Sequence, residues 1–274
     1  KTELQGQDGN LDIKNNAASG NKQLLYSTNI DLDKDFIEER LEVYQVETFD
    51  ANNQPTGDIE GVILIENNNV SKTVSFIKKP AGLSGVMSKI DFQDLDGDGV
   101  LDIFITIPGF GASFALNYYY IYNFKTENSY SYTRDTALYE FADSFTFEYM
   151  GNGKLKIRNK NYGVDAVFDI SDSSAFEKND DQYNYLYDKS WVEPSPVEVS
   201  EEVRIMLVTD QYGSTEIKVP IPVFGIATMD MIGVIDLYHK VDSDFTPRLT
   251  KFDIMDFEGD SKNLKLIRNV KIAD

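Results

Sequence analysis

The stretch Asp102-Ile-Phe-Ile-Thr-Ile-Pro-Gly-Phe-Gly111 places apolar side chains at alternate positions, which is the pattern of a β-strand. A related stretch begins 114 residues later, at Glu216, and reads Glu-Ile-Lys-Val-Pro-Ile-Pro-Val-Phe-Gly225. Five of the ten positions are identical, and both stretches start with an acid. We therefore predict that the two stretches occupy equivalent strands in two similar structural units.

Most of the remaining chain also has strand character. We count about sixteen short apolar or alternating segments, separated by turn clusters rich in Asn, Gly and Asp. Three of these clusters, Asn67–Asn69, Gly151–Gly153 and Asn159–Asn161, have the composition of hairpin connections. Only residues 137–142 and 174–179 are weak candidates for helix. The pattern predicts a mainly β fold.

Fainter repeats indicate how the strands are grouped. At an offset of 63 residues, Asp31 aligns with Asp94 and Glu39 aligns with Asp102. Together with the offset of 114, this spacing predicts units that start near residues 31, 94, 151, 208 and 256. Units of this length predict four or five small antiparallel sheets in a propeller-like array. A pair of β-sandwiches is the alternative architecture.

The composition excludes several classes of protein. No apolar run approaches the roughly 20 residues that a membrane-spanning helix needs. With 46 acidic and 26 basic residues the net charge is −20, which disfavours binding to nucleic acid or to an anionic membrane surface. The 274 residues include no cysteine, so disulfides and thiolate metal sites are excluded. The single histidine, His239, is predicted to occupy a polar surface position on a strand over residues 232–239.

The sequence Asp94-Leu-Asp-Gly-Asp-Gly-Val-Leu-Asp102 has the features of a calcium-binding loop. Acids stand at loop positions 1, 3, 5 and 9, and Gly99 at position 6 permits a sharp turn. The loop is not an EF-hand, because position 12 is Ile105 and the flanking segments are strands. The predicted calcium ligands are the side chains of Asp94, Asp96, Asp98 and Asp102 and the backbone carbonyl of Val100.

A second acidic loop, Asp31-Leu-Asp-Lys-Asp-Phe-Ile-Glu-Glu39, repeats the acids at positions 1, 3, 5 and 9. It has Phe36 where the first loop has a glycine, and Lys34 adds a positive charge. Binding and not binding calcium are therefore both open for this loop. Its predicted ligands are Asp31, Asp33, Asp35, the carbonyl of Ile37 and Glu39. A third loop, at Asp210, lacks the middle acids and is predicted to be a turn.

The loop at Asp94 and the alternating strand that follows it resemble the calcium loops of FG-GAP repeats in integrin-alpha propellers and of the related VCBS repeats. The strand followed by Gly109-Phe-Gly111 and by the tyrosine-rich residues 117–124 is similar to VCBS-repeat lipoproteins exported by Gram-positive bacteria. The likeness is specific over about 20 residues near Asp94 and is weaker over residues 26–48 and 205–240. It implies an extracellular or cell-surface calcium-binding β protein.

The chain's N-terminal segment fits that expectation. Residues 1–23 are polar and are predicted to be a flexible tether, ahead of an all-β repeat domain over residues 24–274. A tether before a domain suits an exported protein, and the lipid-bearing cysteine of such a lipoprotein would precede Lys1. We expect contact with the membrane only through such an anchor.

We expect a binding or scaffolding role at the cell exterior, with cell-envelope polysaccharide or protein as the partner, rather than an enzyme. The chain has no Gly-x-Ser-x-Gly motif, and a Ser-His-Asp site would have to use the solitary histidine. One rival hypothesis is an extracellular enzyme that acts on polysaccharide. The other is a carbohydrate-binding module in which Tyr185, Tyr187 and Trp191 stack on sugar rings, although packing within the protein is the more usual role of such residues.

Overall fold

A computed structural model describes most of the chain, and all structural statements below concern the residues it describes. These are residues 21–67, 69–81, 85–108, 117–132, 144–151, 153–170, 198–199, 205–209, 213–224, 231–257 and 264–272. Within these ranges the chain forms seventeen β-strands and no helix, so the predicted mainly β class is confirmed. The two weak helix candidates and the aromatic residues Tyr185, Tyr187 and Trp191 lie outside the described residues.

The described strands form four antiparallel sheets. Sheet I contains β1 (Lys22–Ile30), β2 (Glu39–Phe49), β3 (Pro55–Glu66) and β4 (Ser71–Pro80), and sheet II contains β5 (Lys89–Gln93), β6 (Asp102–Pro108), β7 (Asn117–Tyr122) and β8 (Ser129–Tyr132). In both sheets the strands lie side by side in chain order, as successive hairpins.

Sheets III and IV are formed by the C-terminal half of the chain. Sheet III contains β9 (Thr146–Gly151), β10 (Lys154–Asn159) and β11 (Val164–Asp169). Sheet IV contains β12 (Glu198–Val199), β13 (Met206–Thr209), β14 (Thr215–Phe224), β15 (Met231–Val241), β16 (Pro247–Phe257) and β17 (Leu264–Lys271). Both β12 and β13 pair with β14, which is followed in order by β15, β16 and β17.

The predicted hairpin connections are confirmed at three places. Asn67–Asn69 lies between β3 and β4, Gly151–Gly153 starts at the last residue of β9 and precedes β10, and Asn159–Asn161 starts at the last residue of β10 and precedes β11. In each pair the two strands are antiparallel neighbours. The turn-forming residues Asn and Gly thus marked the strand ends correctly, because they tolerate the backbone angles of tight turns.

The core lies between the sheets rather than within one of them. One apolar cluster joins sheets I and II, and a second joins sheet II to sheets III and IV. Strand β6 contributes to both clusters: Ile103, Ile105 and Ile107 pack in the first, and Phe104 packs in the second. Sheet II is therefore covered on both faces, which explains why its second strand is an almost continuous apolar run.

Both related stretches form β-strands with buried apolar side chains. Residues 102–108 form β6, the second strand of sheet II, and residues 215–224 form β14, which follows β13 in sheet IV. Ile217, Val219 and Ile221 are buried, as are their counterparts in β6. Residues 109–111 at the end of the first stretch and residue 225 at the end of the second lie outside the described residues.

Two further expectations require correction. The predicted unit start near residue 256 is wrong, because β16 runs through that residue and β17 continues the same sheet. The predicted surface position of His239 is also wrong: it lies on the expected strand, but only 7% of it is exposed. In the part of the chain that the structure describes, no helix has the length and hydrophobicity to cross a lipid bilayer.

Candidate metal centre

The two acidic loops occupy equivalent places in sheets I and II. Residues 31–39, which we call loop A, connect β1 to β2, and residues 94–102, which we call loop B, connect β5 to β6. In each loop the acid at position 9 is the first residue of the second strand. Both loops therefore lie where the first strand of a four-stranded sheet turns into the second.

In loop B the side chain at position 1 organises the turn. Asp94 accepts the backbone N–H of Gly97 through Oδ1 at 2.8 Å and that of Gly99 through Oδ2 at 3.1 Å. Asp98 Oδ1 accepts the N–H of Val100 at 2.8 Å. Gly97 and Gly99 have φ values of 79° and 87°, in the left-handed region that glycine enters at little steric cost.

Loop A shares two of these hydrogen bonds, although it has no glycine. Asp31 Oδ2 accepts the N–H of Phe36 at 2.9 Å, and Asp35 Oδ1 accepts the N–H of Ile37 at 2.8 Å, which are the same loop positions as in loop B. Lys34 and Phe36, at positions 4 and 6, have φ values of 59° and 72°. Loop A therefore enters the left-handed region at positions 4 and 6 without glycine.

The acid at position 9 closes each loop from inside the protein. Glu39 Oε2 accepts the N–H of Leu32 at 2.9 Å, and Asp102 Oδ2 accepts the N–H of Leu95 at 2.8 Å. Both acids have no measurable exposure. The leucine at position 2 is also buried in each loop, so an apolar anchor and a buried carboxylate hold each loop to its sheet.

Each loop brings three carboxylates together. One oxygen from each of Asp31, Asp33 and Glu39 lies within 4.8 Å of the others, and the same holds for Asp94, Asp96 and Asp102. Such a group of three acids can hold a metal ion. Of the predicted ligands, Asp35 and Asp98 lie outside these triads, and each holds the loop backbone through its Oδ1.

The electrostatics of both triads favour a bound cation. The buried oxygens Asp33 Oδ1 and Asp102 Oδ1 have no hydrogen-bond partner. Burial raises the pKa of Asp102 to about 7, and the carboxylates of Asp96 and Asp98 raise it as well, against the lowering effects of the Leu95 N–H and the Asn123 side-chain amide. Burial likewise raises the pKa of Asp96. A cation would supply the partner that these oxygens lack and would favour the ionised form of Asp102.

Two asparagines complete the loops and were not identified from the sequence as site residues. Asn67 follows β3 and donates its Nδ2 to Glu39 Oε1 at 2.8 Å, while Asn123 follows β7 and donates its Nδ2 to Asp98 Oδ2 at 3.4 Å. The Oδ1 of each also accepts two backbone N–H groups of the next turn. An Asn at the end of the third strand, across from the acid at position 9, is the signal that could have identified them.

His239 provides no candidate catalytic base at the protein surface. It lies on β15, and burial lowers its pKa to about 4. The third predicted loop cannot be compared with loops A and B, since residues 210–212 lie outside the described residues.

Comparison of the sequence with protein-family models and with curated proteins, and of the structure with solved structures, finds no match. The functional argument therefore depends on the geometry of the two loops.

Proposed function

We propose that this chain is a calcium-binding β-repeat protein that acts outside the cell or at its surface in a binding or scaffolding role. One observation carries the proposal. Two loops 63 residues apart, which differ in glycine content, have positive φ at the same two positions and each assemble three carboxylates at the same positions. A turn that served only to reverse the chain would not require this concentration of negative charge.

Calcium is the cation that the donor set favours. All the triad ligands are carboxylate oxygens, which suit hard cations, and the chain has no cysteine to supply a thiolate. A nine-residue loop with carbonyl and carboxylate donors also suits the large and flexible coordination shell of calcium better than the strict octahedron of magnesium. Extracellular modules commonly bind calcium with a Kd of about 10⁻⁴–10⁻³ M, which fits the proposed location.

We also propose that the sheets are successive units of a propeller-like repeat. At the offset of 63 residues Leu32 aligns with Leu95 and Leu41 with Phe104. Leu32 and Leu41 pack between sheets I and II, whereas Leu95 and Phe104 pack in the cluster that joins sheet II to sheets III and IV. Each loop and second strand thus faces the following part of the chain in the same way, as blades of a radial array do.

For the partner we propose cell-envelope polysaccharide or protein, bound without chemical change. The acidic surface argues against nucleic acid, and the buried His239 argues against a Ser-His-Asp mechanism in the described residues. A polysaccharide array followed by product analysis tests this role. Retention without new products supports binding, whereas release of shortened saccharides supports the rival extracellular enzyme.

The calcium site is tested by thermal unfolding of the full chain with calcium and with chelator. Calcium at ten to a hundred times Kd should stabilise the folded protein by roughly 1–3 kcal/mol, because it binds only the folded loops. Asp96→Asn should reduce this gain, since it removes one triad charge but retains the Oδ1 that accepts the Asp98 N–H. Asp165→Asn, at an exposed residue of β11, is the matched control and should leave the gain unchanged. If neither calcium nor chelator changes the melting temperature of the wild-type protein, the proposal is contradicted.

A further inference from the structure

The two loops are joined by a hydrogen bond between their backbones. The N–H of Leu101, at position 8 of loop B, donates to the carbonyl oxygen of Leu32, at position 2 of loop A, over 2.7 Å. Leu32 is fully buried in the apolar cluster that joins sheets I and II, and Leu101 packs against the same cluster. Because this bond is direct, a shift in the backbone of one loop displaces the bonded backbone group of the other.

The peptide unit that makes this bond also carries a predicted calcium ligand. In a planar trans peptide the N–H and the preceding C=O point in opposite directions. Because the N–H of Leu101 points to loop A, the carbonyl of Val100 points away from loop A. The Val100 carbonyl is the expected backbone ligand of loop B. One peptide unit therefore connects the ligand shell of loop B to the backbone of loop A.

The acceptor residue of the bond, Leu32, is next in sequence to a member of the loop A triad. Leu32 immediately precedes Asp33, whose Oδ1 is buried and has no hydrogen-bond partner. The fully buried Asp102, which directly follows Leu101, also has an oxygen without a partner. Both orphan oxygens thus belong to residues adjacent to the two ends of the inter-loop bond, and a cation in each loop would engage them.

We propose that loops A and B bind their calcium ions with positive cooperativity, transmitted through the hydrogen bond from Leu101 to Leu32. An ion in loop A fixes the Leu32 carbonyl, and this carbonyl holds the Val100–Leu101 peptide in the orientation that loop B needs. An ion on the Val100 carbonyl in turn polarises the peptide and strengthens the N–H of Leu101 as a donor. The inference rests on the proposed calcium function and adds to it a coupling between the sites.

Simple electrostatics predicts the opposite sign, which makes the coupling testable. An ion in loop B reduces the negative charge near loop A, and charge alone would therefore weaken binding to loop A. This effect is damped at physiological ionic strength, where the screening length is about 8 Å. The backbone route predicts tighter binding under the same conditions. The sign of the coupling thus separates the two mechanisms.

The test is calorimetric titration of the full chain with calcium chloride at physiological ionic strength. The wild type is compared with Asp96→Asn, which disables loop B, and Asp33→Asn, which disables loop A. We expect loop A to bind at least about 5-fold more weakly in Asp96→Asn than in the wild type with loop B loaded, and loop B to weaken by the same factor in Asp33→Asn. A wild-type isotherm equal to the sum of the two single-site isotherms overturns the cooperativity, as does tighter binding in either variant.

Replacement of Leu101 by its α-hydroxy acid tests the route, because the resulting ester lacks the N–H donor. The coupling factor should fall to about one while each loop still binds calcium. A matched ester at Leu64 in β3 controls for the loss of one peptide N–H elsewhere and should leave the coupling intact. Coupling that survives the Leu101 ester overturns the proposed route. Absence of any calcium heat in the wild type instead overturns the calcium function itself.

Discussion

Loops A and B enter the left-handed region at the same two positions with different residues there. Loop B has Gly97 and Gly99 at positive φ, whereas loop A has Lys34 and Phe36 at the corresponding positions. A side chain in the left-handed region costs roughly 1–2 kcal/mol, so loop A adopts its conformation against a local preference. In both loops the acid at position 1 accepts the N–H of position 6 and the acid at position 5 accepts that of position 7, so these bonds form with or without glycine.

The loops also differ in how their buried position-9 acids are satisfied. Glu39 uses both oxygens, since one accepts the N–H of Leu32 and the other accepts Asn67 Nδ2. Asp102 accepts the N–H of Leu95 through one oxygen and has the other buried without a hydrogen bond. Without a cation, Glu39 is therefore a stabilising element of the fold, whereas Asp102 is a destabilising one.

The largest expected effect is that of Glu39→Ala. The substitution leaves the buried N–H of Leu32 without its acceptor and removes the partner of Asn67. We expect a loss of about 3 kcal/mol in the free energy of unfolding, measured by urea denaturation in chelator. Glu38→Ala, at the exposed neighbouring residue, is the control and should change stability by less than about 0.5 kcal/mol. Equal effects of the two variants would contradict the structural role of Glu39.

In the absence of calcium, Asp102→Asn should stabilise the protein, whereas Glu39→Ala destabilises it. The folded-state pKa of Asp102, about 7, is above the unfolded value of about 3.9, so its contribution to stability is present below pH 4 and is lost as pH rises through 7. The neutral amide keeps an acceptor for Leu95 and removes the buried charge. In chelator at pH 8, we expect the free energy of unfolding of the variant to be about 1–2 kcal/mol higher than that of the wild type. At pH 4 the two values should differ little.

Calcium should reverse the sign of the stability difference between Asp102→Asn and the wild type, and this reversal provides the control. With calcium present, Asp102→Asn should lose most of the stabilisation that the wild type gains, because the variant lacks one triad charge. Thermal unfolding at pH 8 with and without calcium measures both effects in one series. A stability difference between wild type and variant that does not change from pH 5 to pH 8 would contradict the assigned pKa.

The sequence predicted the parts of the site that depend on spacing and missed those that depend on packing. Alternate acids before an alternating apolar strand were sufficient to locate both triads and the second strands that carry their last acids. The roles of Asn67 and Asn123 could not be read in this way, because each acts on a carboxylate that is distant in the sequence. The burial of His239 was missed for the same reason, since one strand pattern does not reveal what covers its faces.

Gly99→Ala tests how much the glycines contribute to loop B. A Cβ at this position meets no atom within 4 Å, so the only penalty is that of the backbone at φ 87°. We expect a loss of about 1 kcal/mol, measured by urea denaturation, with calcium still bound. Gly85→Ala, where φ is not positive, is the control and should be close to neutral. A Gly99 variant that loses calcium binding altogether would show that loop B, unlike loop A, requires glycine at position 6.

The smallest effect is expected at Phe36 in loop A, where the substitution should relieve backbone strain instead of introducing it. The Phe36 side chain is 96% exposed, so its replacement sacrifices little packing, and Asn tolerates the left-handed region better than an aromatic residue. We therefore expect Phe36→Asn to stabilise the protein by about 0.5 kcal/mol, and thus to raise the melting temperature by about 1–2 °C. Phe36→Ala is the control, because it removes the same exposed ring and retains the unfavourable φ. If both variants stabilise equally, the gain comes from removing an exposed apolar ring, and loop A is not strained at position 6. If only Phe36→Asn stabilises the protein, the backbone of loop A is strained at position 6. The acids of loop A then hold Phe36 in a backbone conformation that this residue disfavours.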